Sequence, residues 1–335
     1  MKKIKYLITR ITKMDYKRFF VTINKISKKT GKSRFFLFFD IIYCGLKYQA
    51  GYLDYNLFEM YDLNKEQRKT IITRGINNEF VKKYNNPNYT KYFNNKVLFI
   101  KKFSKYIGRD WLLINNNFEE FDALLKKHKK LIAKPINLQC GKGIEMVKDS
   151  ANNYKTYETL EKNGQLLVEE ILEQCDTLSK IHPTSINTLR VVTINHKVVT
   201  AYLRIGNNNN IVDNFNNEGM AAPIEIDSGK IIYPAIDKFD NLYTEHPLTK
   251  TPIVGLQIPR WDEVVKLCEE ATHVIPEVNY VGWDVCIGKD RLYLIEGNEF
   301  PGHDIYQLPP HRKDGIGLLP VFKEAMKGIK KWNYL

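Results

Sequence analysis

Three oxygen-bearing side chains near the end of the 335-residue chain have the types and spacing of a metal site. Asp284 begins an alternating apolar run typical of a half-buried strand, and residues 288–290 form a predicted turn. The return strand ends at Glu296 and Asn298, which share a face because strand side chains alternate. The hairpin would bring both beside Asp284 and create a hard, all-oxygen ligand set suited to Mg²⁺ next to nucleotide phosphates. An exposed hairpin whose polar residues face water is the alternative interpretation.

A predicted strand, a glycine loop and a return strand between residues 131 and 147 form a second segment with chemical potential. Lys134 ends the first strand, and Gly141, Lys142 and Gly143 follow in the loop. Glycines let backbone N–H groups approach an anion, and lysine adds a point charge, so the element could cover nucleotide phosphates. It is neither a Walker loop nor a Rossmann fingerprint, because no Gly-Lys-Ser/Thr opens a helix here. An ordinary β-turn is the alternative.

Residues 165–172 form a third segment, an apolar strand that runs into Glu169 and Glu170. Its edge could offer backbone donor and acceptor groups to an adenine, while Gln174 or Asp176 reaches the ribose. Taken alone, the segment fits a plain strand with a solvated acidic end better.

The composition is that of a globular protein of the cytosol. Hydrophobic residues make up 43% and aromatic residues 12% of the chain, which excludes general disorder. The five cysteines form no CxxC pair, which argues against a thiolate zinc site and suits a reducing compartment. The basic, interrupted start does not resemble a secretory signal, and the most apolar run, residues 35–44, is too short to span a bilayer. We therefore expect a cytoplasmic location.

The net charge of +13 is concentrated at the N-terminus. Residues 1–35 contain 12 Lys/Arg and one Asp, a formal +11, and the other 300 residues carry only +2. On a nucleic-acid-binding protein the positive charge would be distributed differently along the chain, so we expect no nucleic-acid partner. Apolar residues at helical spacing predict a basic amphipathic helix at residues 4–14. Residues 1–35 could thus contact an anionic membrane peripherally at its inner face, or the helix could pack on the body with a solvated basic face.

Turn and periodicity signals divide the chain into three regions. Residues 1–95 are predicted to be a helical region, which ends in an Asn-rich stretch. Within this region, Asn64 and Gln67 predict the capped start of a helix. The aromatics of residues 35–80 are expected in the core, because they lack the basic interleaving of a base-stacking surface. Residues 96–175 and 176–335 predict two α+β lobes in series, the second a meander of antiparallel strands with one helix.

The order of these segments resembles the ATP-grasp superfamily. The elements that carry the resemblance are, in chain order, Lys96, Lys134-Pro135, the Gly141/Gly143 loop, Val168-Glu169-Glu170, Arg190, Arg204, Asp284 and Glu296-Gly297-Asn298. Three stretches more narrowly resemble the sugar-transfer-associated ATP-grasp family found near bacterial surface-polysaccharide genes: His182-Pro183-x-Ser185-x-Asn187-Thr188-x-Arg190, Gly282-Trp283-Asp284, and Glu296-Gly297-Asn298 followed by Pro301-Gly302-His303-Asp304. The resemblance covers roughly residues 90–310 and implies an α+β, ATP-grasp fold, in which two lobes clasp ATP, with an N-terminal helical region.

The resemblance also implies roles around the nucleotide. Lys134 and the earlier Lys96 would contact its phosphates, and residues 141–144 would form a flap over them. The backbones of Glu169 and Ile171 would contact the adenine, with Glu170 and Asp176 beside the nucleotide.

For the reaction itself, the resemblance implies that Asp284, Glu296 and Asn298 hold one or two Mg²⁺ ions. Arg190 and Arg204 would contact the transferring phosphoryl group, although either arginine alone could equally form a salt bridge on a strand face. His303 and Asp304 would face the acceptor, and the remaining substrate candidates are His182, which could also be an ordinary loop histidine, and Asn187.

The implied activity is that of an ATP-dependent carboxylate–amine ligase that works through an acylphosphate. The small-molecule acid and amine would be a sugar and an amino acid in surface-polysaccharide or capsule biosynthesis. Two alternatives remain open: a kinase that phosphorylates a sugar or another small-molecule hydroxyl, and a non-catalytic nucleotide-binding module.

Overall fold

The computed structural model describes residues 14–137, 143–208, 215 and 218–328. The amphipathic helix expected at residues 4–14 therefore lies, except for its last residue, outside the described residues, and so do Gly141 and Lys142. The chain divides into two compact units, one formed by Met1–Lys83 with Gly302–Leu335 and the other by Tyr84–Pro301. Each unit has a hydrophobic core of its own.

The first unit is helical in its described part, as the sequence predicts for the N-terminal region. Its helices are α1 (Tyr16–Thr30), α2 (Arg34–Tyr48), α3 (Tyr52–Leu57), α4 (Lys65–Arg68), α5 (Arg74–Tyr84) and, near the C-terminus, α13 (Leu319–Ala325). Asp15 caps α1 by accepting the N–H of Arg18 at 2.9 Å, and Gly31 ends it with a φ of 73°. The capped start at Asn64 and Gln67 is confirmed, with both capping-box hydrogen bonds present.

The aromatics of the first unit follow the expectation only in part. Tyr55 and Phe58 are fully buried, as predicted. Phe35, Phe36 and Phe39 are 75%, 50% and 53% exposed, so the expectation that they belong to the core is wrong. The core lies on the other face of α2, and these side chains point away from it.

The second unit contains, in its described residues, a four-stranded and a seven-stranded antiparallel sheet. The smaller sheet has the order β1-β4-β2-β3 and consists of β1 (Trp111–Leu113), β2 (Lys130–Lys134), β3 (Glu145–Lys148) and β4 (Leu167–Glu170). Helices α9 (Phe118–His128) and α10 (Asn153–Lys162) share its core through Phe121, Leu125 and Tyr157. The two strands predicted within residues 131–147 are confirmed by the β2–β3 pairing.

The larger sheet has the order β11-β10-β5-β6-β7-β8-β9. Its strands are β5 (Leu189–Ile194), β6 (Lys197–Ile205), β7 (Met220–Ile224), β8 (Ala235–Ile236), β9 (Leu242–Tyr243), β10 (Tyr280–Ile287) and β11 (Leu292–Asn298). The strand of Asp284 is therefore flanked on both sides, and every residue of β10 is buried, whereas the sequence predicts a half-buried strand. The helices of the unit besides α9 and α10 are α6 (Lys91–Asn94), α7 (Lys96–Lys102), α8 (Ser104–Ile107), α11 (Asp176–Ile181) and α12 (Trp261–Ala271). The meander thus contains α11 as well as the one expected helix.

Within the described ranges, no helix combines the length and the hydrophobicity needed to cross a bilayer.

Candidate active site

A row of polar side chains crosses three neighbouring strands of the larger sheet. The register places Glu296 of β11 opposite Asp284 of β10, and Asp284 opposite Arg190 of β5. Directly opposite residues in an antiparallel sheet project from the same face. The structure therefore brings two predicted metal ligands and one predicted phosphate-binding arginine onto one face, as the predicted hairpin requires for the two acids.

Two arginines hold Asp284, whose exposed fraction is only 3%. Arg190 donates to both carboxylate oxygens, through Nε to Oδ1 and through Nη2 to Oδ2 at 3.1 Å. Arg204 of β6 donates through Nη1 to Oδ2 at 2.9 Å. Burial acts to raise the pKa of Asp284, but the two guanidinium groups outweigh it, and the pKa is lowered. Asp284 is therefore an anion at neutral pH, and both arginines gather at it.

The neighbouring Glu296 behaves in the opposite way. Its side chain reaches solvent, yet the surrounding protein partly desolvates the carboxyl, which raises its pKa, and the charge of Asp284 raises it further. A cation bound between the two groups would favour the ionised form of Glu296, because metal ligands must be deprotonated.

Asn298 adds a third oxygen beside the two acids. It lies two residues beyond Glu296, on the same side of β11, and its Oδ1 accepts the N–H of Phe300 at 2.9 Å. Two carboxylates and an amide oxygen form the hard donor set that Mg²⁺ requires, so the residues fit this ion. Because both oxygens of Asp284 also accept from the arginines, a bound cation would share this carboxylate with Arg190 and Arg204.

The residue between Glu296 and Asn298 faces the hydrophobic core. A Cβ atom on Gly297 would lie 2.9 Å from Cδ1 of Phe93 and 3.0 Å from Cε2 of Phe99, closer than carbon atoms approach. Trp283 lies opposite Gly297 and packs against Phe93, with 6.0 Å between ring centroids. The aromatic cluster thus explains why glycine and tryptophan accompany the acids in the two motifs.

A second charged group lies on the smaller sheet around Glu169 of β4. Lys134 Nζ is 2.5 Å from Oε2 of Glu169, and Arg109 donates to both oxygens at 3.1 and 3.3 Å. Burial opposes ionisation of Glu169, but Arg109 and Lys134 more than offset it and lower the pKa to about 2. Glu169 is therefore the counter-ion of Lys134, the lysine predicted to contact the nucleotide phosphates, and holds its side chain in place.

The ionisation of Glu169 should make the stability of the protein sensitive to acid. Its folded-state pKa lies below the ordinary value of 4.5, so its ionised form stabilises the fold above that pH, and the contribution is lost as the pH falls from about 5 towards 2. A shift of this size corresponds to about 3 kcal/mol. Urea unfolding should show the largest stability difference between wild type and Glu169→Gln near neutral pH, and a shrinking difference at lower pH.

The control for this experiment is Glu173→Gln. Glu173 forms an exposed ion pair with Lys289, at 2.7 Å. Loss of this pair should not change how the free energy of unfolding decreases at acidic pH. A difference between wild type and Glu169→Gln that stays constant with pH would contradict the assignment.

Arg109 belongs to this site although no motif of the sequence assigns it a role. Besides Glu169 it donates to two backbone carbonyls of β11, through Nη1 to Leu294 at 2.9 Å and through Nη2 to Ile295 at 3.3 Å. Its side chain is 1% exposed. Arg109 therefore connects β4 of the smaller sheet to the strand that carries Glu296. Its only signal in the sequence is a charged residue just before an apolar strand.

Lys96 opens helix α7, where Asn95 caps the helix by accepting the N–H of Leu98 at 3.0 Å. Burial lowers the pKa of Lys96, the charge of Lys134 lowers it further, and Glu296 and Glu169 oppose the shift. The two predicted nucleotide lysines and the acids of both sheets therefore lie within electrostatic reach of one another.

The remaining predicted nucleotide residues lie around β4 and the loop. Gly143 has a φ of 71°, and its carbonyl accepts from Gln165 Nε2 at 2.9 Å. Ile171 directly follows β4, whose own backbone is flanked by β1 and β2. Asp176 is exposed at the start of α11.

Glu170 belongs to a cluster of candidate metal ligands with Asp110 and His128, whose ligand atoms lie within 4.8 Å of one another. Lys127 and His128 both contact Oδ2 of Asp110, at 2.6 and 2.8 Å. The hydrogen bonds from these two residues lower the pKa of Asp110. This cluster is separate from the predicted Mg²⁺ ligands.

His182 and Asn187, the predicted substrate residues of the second unit, are buried in a hydrogen-bond network. His182 Nδ1 is 2.8 Å from Ser185 Oγ, and Asn187 Nδ2 donates to Gln174 Oε1 at 3.1 Å and to the His182 carbonyl. A Cβ atom on Gly206 would lie 2.1 Å from Ser185 Oγ. These contacts fix the loop that leads into β5. Direct contact with substrate remains a prediction for both residues.

His303 and Asp304 belong to the first unit. His303 is 4% exposed, and its Nε2 lies 3.0 Å from Oδ1 of Asp54. Asp304 caps a short 3₁₀ helix (Ile305–Gln307) by accepting the N–H of Ile305 at 3.1 Å. Their proposed place at the acceptor remains a prediction.

Residues 75–324 match the family described as sugar-transfer associated ATP-grasp. The protein belongs to this family. The resemblance drawn from the motifs is thus confirmed, and so is the α+β, ATP-grasp fold with its N-terminal helical region.

Similar solved structures include the ATP-grasp ligase PsnB complexed with precursor peptide PsnA2 and AMPPNP, with 15% identity over 72% of this chain and 61% of that chain and a TM-score of 0.44. The D-alanine–D-alanine ligase from Bacillus anthracis is 14% identical over 75% of this chain and 74% of that chain, with a TM-score of 0.44. The chain spans 63% of the length of PsnB complexed with a minimal precursor. No curated protein matches the sequence.

Proposed function

We propose that this member of the sugar-transfer associated ATP-grasp family is an ATP-dependent carboxylate–amine ligase. The observation that carries the proposal is the row of Glu296, Asp284 and Arg190, completed by Arg204, within electrostatic reach of Lys96. Cationic side chains that converge beside paired carboxylates suit the transfer of a phosphoryl group from a metal-bound nucleotide. In this proposal ATP is the co-substrate, and Asp284, Glu296 and Asn298 hold one or two Mg²⁺ ions.

The reaction begins when an oxygen of the substrate carboxylate attacks the γ-phosphorus of ATP and ADP leaves. Arg190 and Arg204 stabilise the negative charge that develops on the transferring group, and Lys134 and Lys96 hold the other phosphates. Bound Mg²⁺ would neutralise further charge on the phosphate oxygens. The amine then attacks the acyl carbon, loses a proton and expels phosphate, which forms the amide. The protein supplies position and charge rather than a nucleophile.

The substrates are proposed from the family description together with this chemistry. A sugar acid or amino sugar would be joined to an amino acid, in a pathway that builds surface polysaccharide or capsule. The enzyme would work in the cytoplasm, and basic residues 1–35 would attract it to the anionic inner face of the membrane.

Hydroxylamine tests the proposal directly, because it captures an activated acyl group in place of the natural amine. The protein is incubated with ATP, Mg²⁺, hydroxylamine and a panel of uronic acids and amino acids, and ADP and hydroxamate are measured. A ligase yields both, and only with the right acid. ADP with a phosphoester and no hydroxamate would show a kinase, and the absence of both products across the panel would favour a binding module.

A further inference from the structure

Helix α2 is apolar on both of its faces. One face is buried in the first unit and contains Leu37, Ile41 and Cys44. The opposite face carries Phe35, Phe39, Ile42 and Leu46, with exposed fractions of 75%, 53%, 41% and 59%. These residues recur at helical spacing and form a stripe along the outer side. An outer helix face is normally polar, so an apolar stripe of this length indicates a binding surface.

The stripe continues onto α1 through contacts between aromatic rings. Phe20 of α1 is 51% exposed and stacks on Phe38, with 6.4 Å between ring centroids. Phe38 in turn contacts Phe39 at 5.2 Å, and Phe39 contacts Phe35 at 4.7 Å. The two helices thus share one apolar patch, here called the aromatic face, which is formed by Phe20, Phe35, Phe36, Phe39, Ile42 and Leu46.

The segment that carries the aromatic face is strongly basic. Residues 14–48 contain eight Lys/Arg and two Asp. Of the two acids, Asp40 forms a two-point ion pair with Arg68, at 2.7 Å for each contact, and Asp15 caps α1. Lys17, Arg18, Lys25 and Lys28 are exposed on α1. An exposed apolar patch beside basic side chains has the chemistry of a surface that lies on anionic lipid.

We propose that the aromatic face docks on an anionic lipid bilayer, with its phenylalanines in the interface between headgroups and acyl chains and its lysines at the headgroups. A second copy of the chain would place the same positive charge opposite itself, which favours the bilayer over self-association. The inference goes beyond the electrostatic attraction proposed for residues 1–35, because it assigns apolar insertion to α2. It does not depend on the ligase reaction.

Vesicle flotation tests the proposal with the full chain. Vesicles of phosphatidylcholine with phosphatidylglycerol are compared with vesicles of phosphatidylcholine alone, and the variant is Phe35→Gln/Phe39→Gln. Both positions are exposed and glutamine is a good helix former, so the urea unfolding midpoint should not change. We expect binding to anionic vesicles to weaken by on the order of tenfold or more. The matched control is Phe239→Gln, an exposed phenylalanine of the second unit, which should bind as wild type does.

Three outcomes would overturn the proposal. The double variant could bind anionic vesicles as tightly as wild type, or wild type could bind both kinds of vesicle equally. Wild type could also fail to bind vesicles and sediment as a dimer that the double variant abolishes, which would show that a second copy covers the face. Turnover with soluble substrates is measured on the same samples; it should be unchanged in the double variant, so a failure of the ligase proposal is recognised separately.

Discussion

Glu296→Gln is expected to reduce ADP release by on the order of 10³-fold while the protein remains folded. Burial and the charge of Asp284 raise the pKa of Glu296, so its surroundings favour the neutral acid more than water does, and glutamine resembles that acid in shape. The substitution therefore removes the negative charge that a Mg²⁺ ligand supplies and little of the packing. ADP release is measured against Mg²⁺ concentration, together with the free energy of unfolding.

The companion variant Asp284→Asn separates catalysis from stability. It should lose turnover as well, but it should also unfold more easily, by about 3–5 kcal/mol, because Arg190 and Arg204 would remain together without their buried anion. Retained turnover in both variants would refute the metal assignment. If Glu296→Gln and Asp284→Asn lost the same free energy of unfolding, the opposite pKa shifts assigned to Glu296 and Asp284 would be wrong.

Arg109→Met is expected to cost about 3–5 kcal/mol of unfolding free energy and to lower turnover. Methionine fills much of the same volume, but Glu169 would lose its two-point partner, and the carbonyls of Leu294 and Ile295 would lose a donor. Turnover should fall because β11 would no longer be tied to β4. Urea unfolding and ADP release measure the two effects.

Arg109→Lys keeps the charge but cannot make the same planar set of contacts, so its loss should be intermediate. The matched control is Arg291→Met, at an exposed position on the turn between β10 and β11, which should change neither quantity. If Arg109→Met were as stable and as active as this control, the connecting role of Arg109 would be wrong.

The parts of the site that sequence predicts depend on local geometry. One short hairpin is enough to place Asp284 opposite Glu296. The capping box at Asn64 likewise involves residues only three apart in the chain. Long-range partners have no such signal. The Arg190–Asp284 pair joins residues 94 apart in the chain, and Arg109 reaches carbonyls 185 and 186 residues away. Register between distant strands, which the sequence pattern leaves open, determines these contacts.

The same limit applies to burial. The aromatics of residues 35–80 have the composition of a core, and part of them forms one. Composition does not tell which face of α2 packs inward, because both faces are apolar. The exposed phenylalanines are therefore visible only in the structure.

The aromatic cluster beneath Gly297 limits how this site can change during evolution. Alternate residues of β11 face opposite sides, and the inner side has no room for one additional carbon atom. A larger residue at position 297 would have to displace Phe93 or Phe99, and with them the acids on either side of it. New substrate preferences should therefore arise in the loops around the site, while the strand that carries the acids stays as it is.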